Sequence, residues 1–326
     1  MLFSKTLEQT SILLIFILTG YLLSKIGVIT QGGKKVLASL LVNLFSPCYY
    51  MSSLSSQLSI ERINEYLLYL IAGTIIALSL IFIVLPFAKM LGKDKFEKNM
   101  LNYALAFGNI SYFGFPVVGA VFNETIKASM ILFCIPQTIA INTYGYQILT
   151  SKIATTPEEV ANVLDNNKKK NNLISNLRFL YAPPFIGTVL GVVFGLLPFN
   201  MPSYFENILQ MSAGCQSVTA MLVTGSALSS VRFLDLFTSW KPYVVGAIRL
   251  LLIPFIIGLV AYLIGIRGEL FIILIASIAL PVGMNVVVYP ESAGLDGTLG
   301  AKMCFISYVL VLITLPVVFE LIKILA

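Results

Sequence analysis

The sequence predicts an all-α polytopic membrane protein, with ten transmembrane helices arranged as two inverted five-helix repeats. Three observations lead there: an apolar composition, ten apolar segments with basic residues concentrated in alternate loops, and matching interruptions in the fourth and ninth segments. Of the 326 residues, 58% are hydrophobic and 11% charged, and the mean hydropathy is +0.91. Soluble domains carry about 25% charged residues, so this chain has too few polar side chains to cover a water-facing surface. It is also too apolar to be disordered. A bilayer span takes about 20 apolar residues, and ten spans with short loops use up the chain.

The absences are informative too. With no histidine, His-ligated zinc or haem, a Ser-His-Asp triad and a histidine proton relay are excluded. Cys48, Cys134, Cys215 and Cys304 are widely separated, form no CxxC pair and lie in apolar stretches. They read as small hydrophobes. No cofactor or metal is expected, nor an enzymatic activity. The formal charge of +6 follows the membrane loops and does not indicate a nucleic-acid partner.

The apolar segments fall at 8–26, 36–57, 66–91, 100–122, 128–150, 177–197, 207–230, 242–264, 270–291 and 302–324, numbered here as spans 1–10. Span 1 lacks a basic leader region and a small-residue cleavage site, and reads as a retained helix. The long polar interval, 155–176, holds Pro157, Glu158, Glu159 and the run Asn166–Asn172 with Lys168, Lys169 and Lys170. It reads as a solvated linker. The expected organisation is therefore a first repeat at 1–151, a linker at 152–175 and a second repeat at 176–326.

Orientation comes from the basic residues. One set of loops holds Lys25, Lys34, Lys35, Lys89, Lys93, Lys95, Lys98, Lys152, Lys168, Lys169, Lys170, Arg178, Arg232, Lys241 and Lys302. The opposite set, with both termini, holds only Lys5, Arg62, Lys127, Arg267 and Lys323. Excess Lys and Arg marks the cytoplasmic side. A cell-membrane protein with both termini outside and a cytoplasmic linker follows. Five spans per half is an odd number, so the halves run in opposite senses, as in many secondary transporters.

Corresponding spans share their irregularities. Spans 3 and 8 carry Pro86 and Pro254, which read as ordinary membrane-helix prolines. Spans 4 and 9 are broken more severely, by Gly108, Asn109, Gly114 and Pro116 in one and by Pro281, Gly283, Asn285 and Pro290 in the other. Backbone freed at membrane depth is tolerated only where protein or a watery cavity satisfies it. Paired breaks in two halves are thus the strongest pointer to a substrate site.

The phrase GNISYFGFP at 108–116, the stretch ALPVGMNVVVYPESAGLDG at 279–297 and the later ITLPVVFELI at 313–322 together resemble the auxin efflux carrier family. The resemblance covers nearly the whole chain apart from 155–176. Asn285 makes the chain more similar to the bacterial branch, with its malate- and malonate-type permeases, than to plant auxin exporters. The resemblance implies a homodimeric scaffold of spans 1, 2, 6 and 7 and a moving bundle of spans 3–5 and 8–10, in which broken helices 4 and 9 cross. In span 7, Ser212, Ala213, Gly214, Ser217, Ala220, Gly225, Ser226 and Ala227 allow the close approach such a scaffold needs.

A half-helix N-terminus at the midplane offers free N–H groups and a positive partial charge suited to a carboxylate. The expected substrate-binding residues are Asn109 and Asn285 as amide donors, with Tyr112, Gly108, Gly283, Pro116 and Pro281 shaping the breaks. Arg249, the basic residue within span 8, is expected to gate, attract the anion or pair with Glu291, and to lean partly toward the cytoplasm. Asp296 and Glu320 are further acidic candidates. The expected cargo is a small organic anion such as malate, malonate or an auxin-like acid. The rivals are a sodium-coupled symporter of the bile-acid type, a membrane receptor or signalling scaffold, a pore and an intramembrane enzyme. A receptor would need an output domain, and an enzyme a nucleophile–base or paired-aspartate motif that the sequence does not show.

Overall fold

A computed structural model describes residues 2–150, 181–197, 201–292 and 295–325, and the side chains of Glu291 and Ser292 fall outside what it describes. The expected linker, 152–175, also lies outside the described residues. All regular elements among those described are helical.

Span 1 is the helix Leu2–Lys25, span 2 Gln31–Ser55 and span 3 Ile60–Leu91. Span 4 comes in two pieces, Lys95–Ala106 and Ile110–Val121. Span 5 is bent by 47° between Glu124–Phe133 and Ile135–Thr150, at Pro136. Span 6 is Pro183–Leu196, span 7 Ser203–Leu228 and span 8 Lys241–Leu263. Span 9 is again in two pieces, Gly268–Ile278 and Asn285–Ser292, and span 10 is Thr298–Leu325. Span 1 thus begins six residues before the apolar segment that predicted it, and span 2 five before.

Local chemistry sets these boundaries. Thr30, Asp94 and Asn123 each accept a backbone N–H of the first turn of the helix that follows, satisfying donors that have no partner within the helix. Pro47, Pro86, Pro116, Pro136 and Pro254 all sit in the first two positions of a helical piece. A proline cannot donate to the preceding turn and clashes with its carbonyl. Before Pro47, Pro116 and Pro254 the helix accordingly widens by one residue per turn, at Leu41–Phe45, Ile110–Gly114 and Ile248–Leu252. Asp296 proves to be a capping residue, accepting the Thr298 N–H at 2.9 Å. Glu320 accepts the Phe3 N–H at 2.8 Å, tying span 10 to span 1.

Leu67, Ile71, Ile75, Leu78 and Phe82 form an exposed stripe along span 3 while Tyr66, Tyr69, Gly73, Ala77 and Leu80 face inward. In water so long an apolar stripe would be a liability; in a bilayer it is the surface the lipid solvates. The chain is a multi-pass membrane protein. Span 1 packs on span 7, span 7 on span 2 and span 2 on span 6; spans 3, 4, 5, 8, 9 and 10 form a second packed group, and span 1 also packs closely on span 10 of that group. In span 7, Ala220, Gly225, Ser226 and Ala227 are buried, Ser212, Ala213 and Ser217 are half-buried, and Gly214 faces open space. Cys134 and Cys304 are buried as expected of small hydrophobes, but Cys215 is exposed on the surface of span 7. That face of the helix, with Met211, has no described neighbour covering it.

Candidate functional site: the crossing of spans 4 and 9

Span 4 unwinds after Ala106. Phe107 is extended (φ −117°, ψ 121°) and Asn109 sits at φ −81°, ψ 73°. Span 9 unwinds from Ala279 to Met284. The two unwound segments run antiparallel across one another, with Gly108 opposite Val282. The Asn109 N–H donates to the Pro281 carbonyl at 2.8 Å, and the Gly283 N–H donates to the Phe107 carbonyl at 3.1 Å. A third freed donor, the Val282 N–H, is accepted by Ser307 Oγ of span 10 at 3.0 Å. Each break thus satisfies the other's backbone, which is the condition for irregular chain at membrane depth. The two segments meet closely enough to favour glycine: a Cβ at Gly283 would lie 3.1 Å from the Gly108 carbonyl oxygen, and one at Gly108 only 2.3 Å from Arg249 Nη2.

Arg249 stands behind this crossing. Its Nη1 donates to the Leu105 carbonyl at 2.6 Å and its Nε to the Leu280 carbonyl at 2.9 Å. Leu105 lies in the last turn of the first half of span 4, and Leu280 just beyond the first half of span 9. One guanidinium therefore neutralises the negative ends of both half-helices. It is 2% exposed, so the expected lean toward the cytoplasm does not occur. No carboxylate among the described residues pairs with it; the side chain of Glu291, its expected partner, lies outside them.

In front of the crossing is a cavity of about 370 Å³, within the range of small-molecule sites, about 300–1,000 Å³. Spans 4, 5 and 9 of one group form part of its wall, and spans 2, 6 and 7 of the other form the rest. Gly108, Asn109, Tyr112, Gly283 and Asn285 all reach it. Pro281, Pro116 and Arg249 are not among its lining residues. Pro281 serves the crossing through its carbonyl, and Pro116 sits in the first turn of the helical piece beyond the widened turn of span 4. Asn109 is buried, and its Nδ2 donates to the Tyr308 hydroxyl of span 10 at 2.5 Å. Asn285 opens the second half of span 9 and lines the cavity together with Tyr103 and Tyr289.

Several polar groups on the wall have no signal in the sequence. Tyr103 and Tyr289 come from the two broken spans, Asn142 and Thr138 from span 5, and Ser46 and Tyr50 from span 2. Ser46-Pro47 interrupts span 2 much as Pro254 interrupts span 8, and that resemblance is the one trace of the wall that periodicity carries. Tyr289 donates to Asn142 Oδ1 at 2.9 Å, so a group from span 9 and one from span 5 are already joined.

Comparison with known proteins agrees with this architecture. The family described as membrane transport protein matches residues 6–319. A protein of Methanothermobacter thermautotrophicus described as an uncharacterized transporter is 25% identical over 321 residues, covering 97% of this chain and 98% of its own. With its broken helices paired at a cavity and a match along nearly its full length, the chain belongs to the membrane transport proteins of the auxin efflux carrier family.

Proposed function

We propose that the protein is a secondary carrier of a small organic anion, working by alternating access at the crossing of spans 4 and 9. The observation that carries this reading is the position of the cavity. It lies between the two packed groups, with the unwound segments on one wall and spans 2, 6 and 7 on the other. At that wall the second halves of spans 4 and 9 begin, so their positive ends lie beside the cavity while Arg249 occupies the negative ends behind. No side chain caps the start of the second half of span 4. Uncapped N–H groups with nearby amides hold a carboxylate without a full positive charge, and so release it readily.

Spans 1, 2, 6 and 7 are then the scaffold and the remaining spans the moving bundle, the two halves of the chain being inverted repeats. Along spans 2, 5, 6 and 9 the lining extends from the crossing toward the side where Thr150 ends span 5 and Pro183 begins span 6. At their opposite ends, spans 2 and 5 are tied by Thr125 Oγ1 donating to Gln57 Oε1 at 3.0 Å. With the basic loops inside, this is an inward-facing state in the cell membrane with both termini outside. A second copy would pair through the scaffold.

The test is counterflow in proteoliposomes. Carboxylates that raise the melting temperature of the purified protein are loaded inside, and uptake of the labelled compound is followed. Saturable, trans-stimulated uptake is expected; linear, unstimulated flux would indicate a pore.

A further inference from the structure

We infer that Lys241 and Glu97 are positioning residues for the crossing. Their ion pair fixes the height of span 8 against the first half of span 4, and so sets Arg249 where it reaches both breaks. The inference adds to the carrier reading above and does not depend on the cargo.

The first observation is a shared spacing. Lys241, the first residue of span 8, pairs with Glu97 in the first turn of Lys95–Ala106. Eight residues further along each helix, Arg249 donates to the Leu105 carbonyl. Two contacts at one spacing mean that the helices run side by side in the same direction, joined at points about 12 Å apart. Span 8 is tied to the half-helix at its start and at its broken end.

The second observation is that Glu97 is held on all sides. Its Oε1 takes the Lys241 ammonium and its Oε2 the Lys93 N–H at 2.8 Å, while its own N–H donates to Asp94 Oδ1 at 2.8 Å. The Lys241 and Glu97 side chains are 9% and 16% exposed, so water does not screen the pair as it screens surface ones. The clamp needs a fixed height. Hydrogen bonds hold over a window about 0.5 Å wide, and Arg249 Nη2 is pressed so close to Gly108 that a Cβ there would lie 2.3 Å away. The guanidinium has little room to make up for a displaced helix.

The third observation is an asymmetry between the halves. Arg62, at the start of span 3, donates to Glu269 in the first turn of span 9 at 2.8 Å. The same kind of pair thus joins the third span of each half to the fourth span of the other. Eight residues beyond Arg62, however, is Leu70, and eight beyond Glu269 is Ser277, whose hydroxyl bonds within its own helix to the Leu274 carbonyl at 2.7 Å. The Arg62–Glu269 pair has no clamp ahead of it. One pair serves the crossing and its counterpart does not.

Amide hydrogen exchange of the full chain, read by mass spectrometry on peptides covering 107–110 and 279–284, measures how often the crossing opens. Lys241→Met/Glu97→Gln removes both charges and leaves neither buried alone. Exchange at both breaks is expected to quicken about tenfold or more, as for one lost charge-assisted hydrogen bond, with spans 1 and 7 exchanging as in the parent. Arg249→Gln is expected to show the same pattern, and Lys241→Arg to keep most of the protection. Arg62→Met/Glu269→Gln is expected to leave the crossing unchanged. Three results overturn the inference: parent exchange at the crossing in Lys241→Met/Glu97→Gln, an equal rise there in Arg62→Met/Glu269→Gln, or a rise that is uniform along the chain and so marks only general support of the fold. Glu97→Gln alone keeps an acceptor for the Lys93 N–H and removes only the charge. It replaces the double variant if that does not fold, with faster exchange at the crossing expected and parent exchange overturning the inference. No step uses a cargo, so failure here is separate from failure of the anion-carrier reading.

Discussion

The guanidinium of Arg249 donates at 2.6 Å to the carbonyl of Leu105, 144 residues earlier in the chain. Together with its bond to Leu280, this makes a single side chain of span 8 the counter-charge for two helix ends that the breaks created. Sequence alone left three roles open for this residue: gate, anion attractor or half of an ion pair. The described contacts make it a clamp on the backbone, with one nitrogen, Nη2, left without a hydrogen bond.

The first prediction follows from that clamp. Charge-assisted hydrogen bonds contribute about 1.5–3 kcal/mol each, and buried carbonyls left unpaired are costly. Arg249→Gln should therefore lower stability by about 3–5 kcal/mol. Arg249→Lys should recover less than half, because an ammonium lacks the planar fork that reaches two carbonyls at once. Adding Glu291→Gln to Arg249→Gln separates the clamp from an added ion pair. Melting temperatures of the four proteins in detergent decide it: no recovery leaves the backbone clamp alone, and recovery adds the pair with Glu291.

A second prediction concerns the two glycines at the crossing. The Cβ of Gly108→Ala would sit 2.3 Å from Arg249 Nη2, whereas that of Gly283→Ala would meet the Gly108 carbonyl oxygen at 3.1 Å. The first displaces the clamp and the second asks for a shift of a few tenths of an ångström. Gly108→Ala should thus be the more damaging, by about 1–3 kcal/mol as in overpacked sites, and Gly283→Ala should fold and retain partial flux. Equal stability of the two variants would count against this geometry.

How much of this was legible in the sequence depends on the range over which each feature is determined. The breaks at Gly108–Asn109 and Pro281–Gly283 are local, because glycine and proline act on their own turn, and the sequence marks them. That the breaks meet was reached only through the family resemblance, since nothing at 107–109 encodes a partner at 281–283. The same holds for Arg249: its place in an apolar span flags it, but its partners are carbonyls, and every residue has one. Tyr308 gave no signal and Ser46 only the proline that follows it, since a tyrosine or serine in a membrane helix is unremarkable until its neighbours are known. The boundaries of spans 1 and 2 were set late because Ser4, Lys5, Thr6 and the Gln31–Lys35 stretch are polar yet helical.

Asn109 and Tyr308 supply the third prediction. The amide donates to the phenol at 2.5 Å inside the protein, while Asn109 also lines the cavity. Tyr308→Phe should cost about 0.5–1.5 kcal/mol of stability, the net value of one such bond, and Asn109→Ala somewhat more, since it leaves the hydroxyl unpaired. The double variant should show coupling of at least about 0.5 kcal/mol between the two positions. Flux should separate them: Asn109→Ala loses about tenfold or more in anion affinity, whereas Tyr308→Phe, whose hydroxyl lies behind the amide, keeps most of it. Equal loss in both would mean that Asn109 acts only as a structural link.

The last prediction concerns the closed end of the cavity. There Lys127 of span 5 is buried, ion-paired to Glu124, and its ammonium stands 5.0 Å from the centre of the Tyr49 ring of span 2. This contact and the Gln57–Thr125 hydrogen bond both join span 2 to span 5, at the end of span 5 opposite Thr150. Under the proposed alternating access they break when the cavity opens outward. A desolvated cation–π contact contributes about 2 kcal/mol, enough to shift a two-state population by more than tenfold. Tyr49→Leu should therefore move the protein toward the outward-facing state. Tyr49→Phe should behave like the parent or be slightly more stable, because the Tyr49 hydroxyl is buried without a hydrogen-bond partner among the described residues. Accessibility of a single cysteine at Ser111, in a chain with Cys48, Cys134, Cys215 and Cys304 replaced, reads the state from either side of the membrane. It should rise from the outside in Tyr49→Leu and fall from the inside. A bis-maleimide bridging cysteines at Gln57 and Thr125 should have the opposite effect, stopping counterflow while leaving position 111 reactive from the inside. Flux that survives this bridge would show that spans 2 and 5 need not separate, and alternating access at this boundary would have to be abandoned.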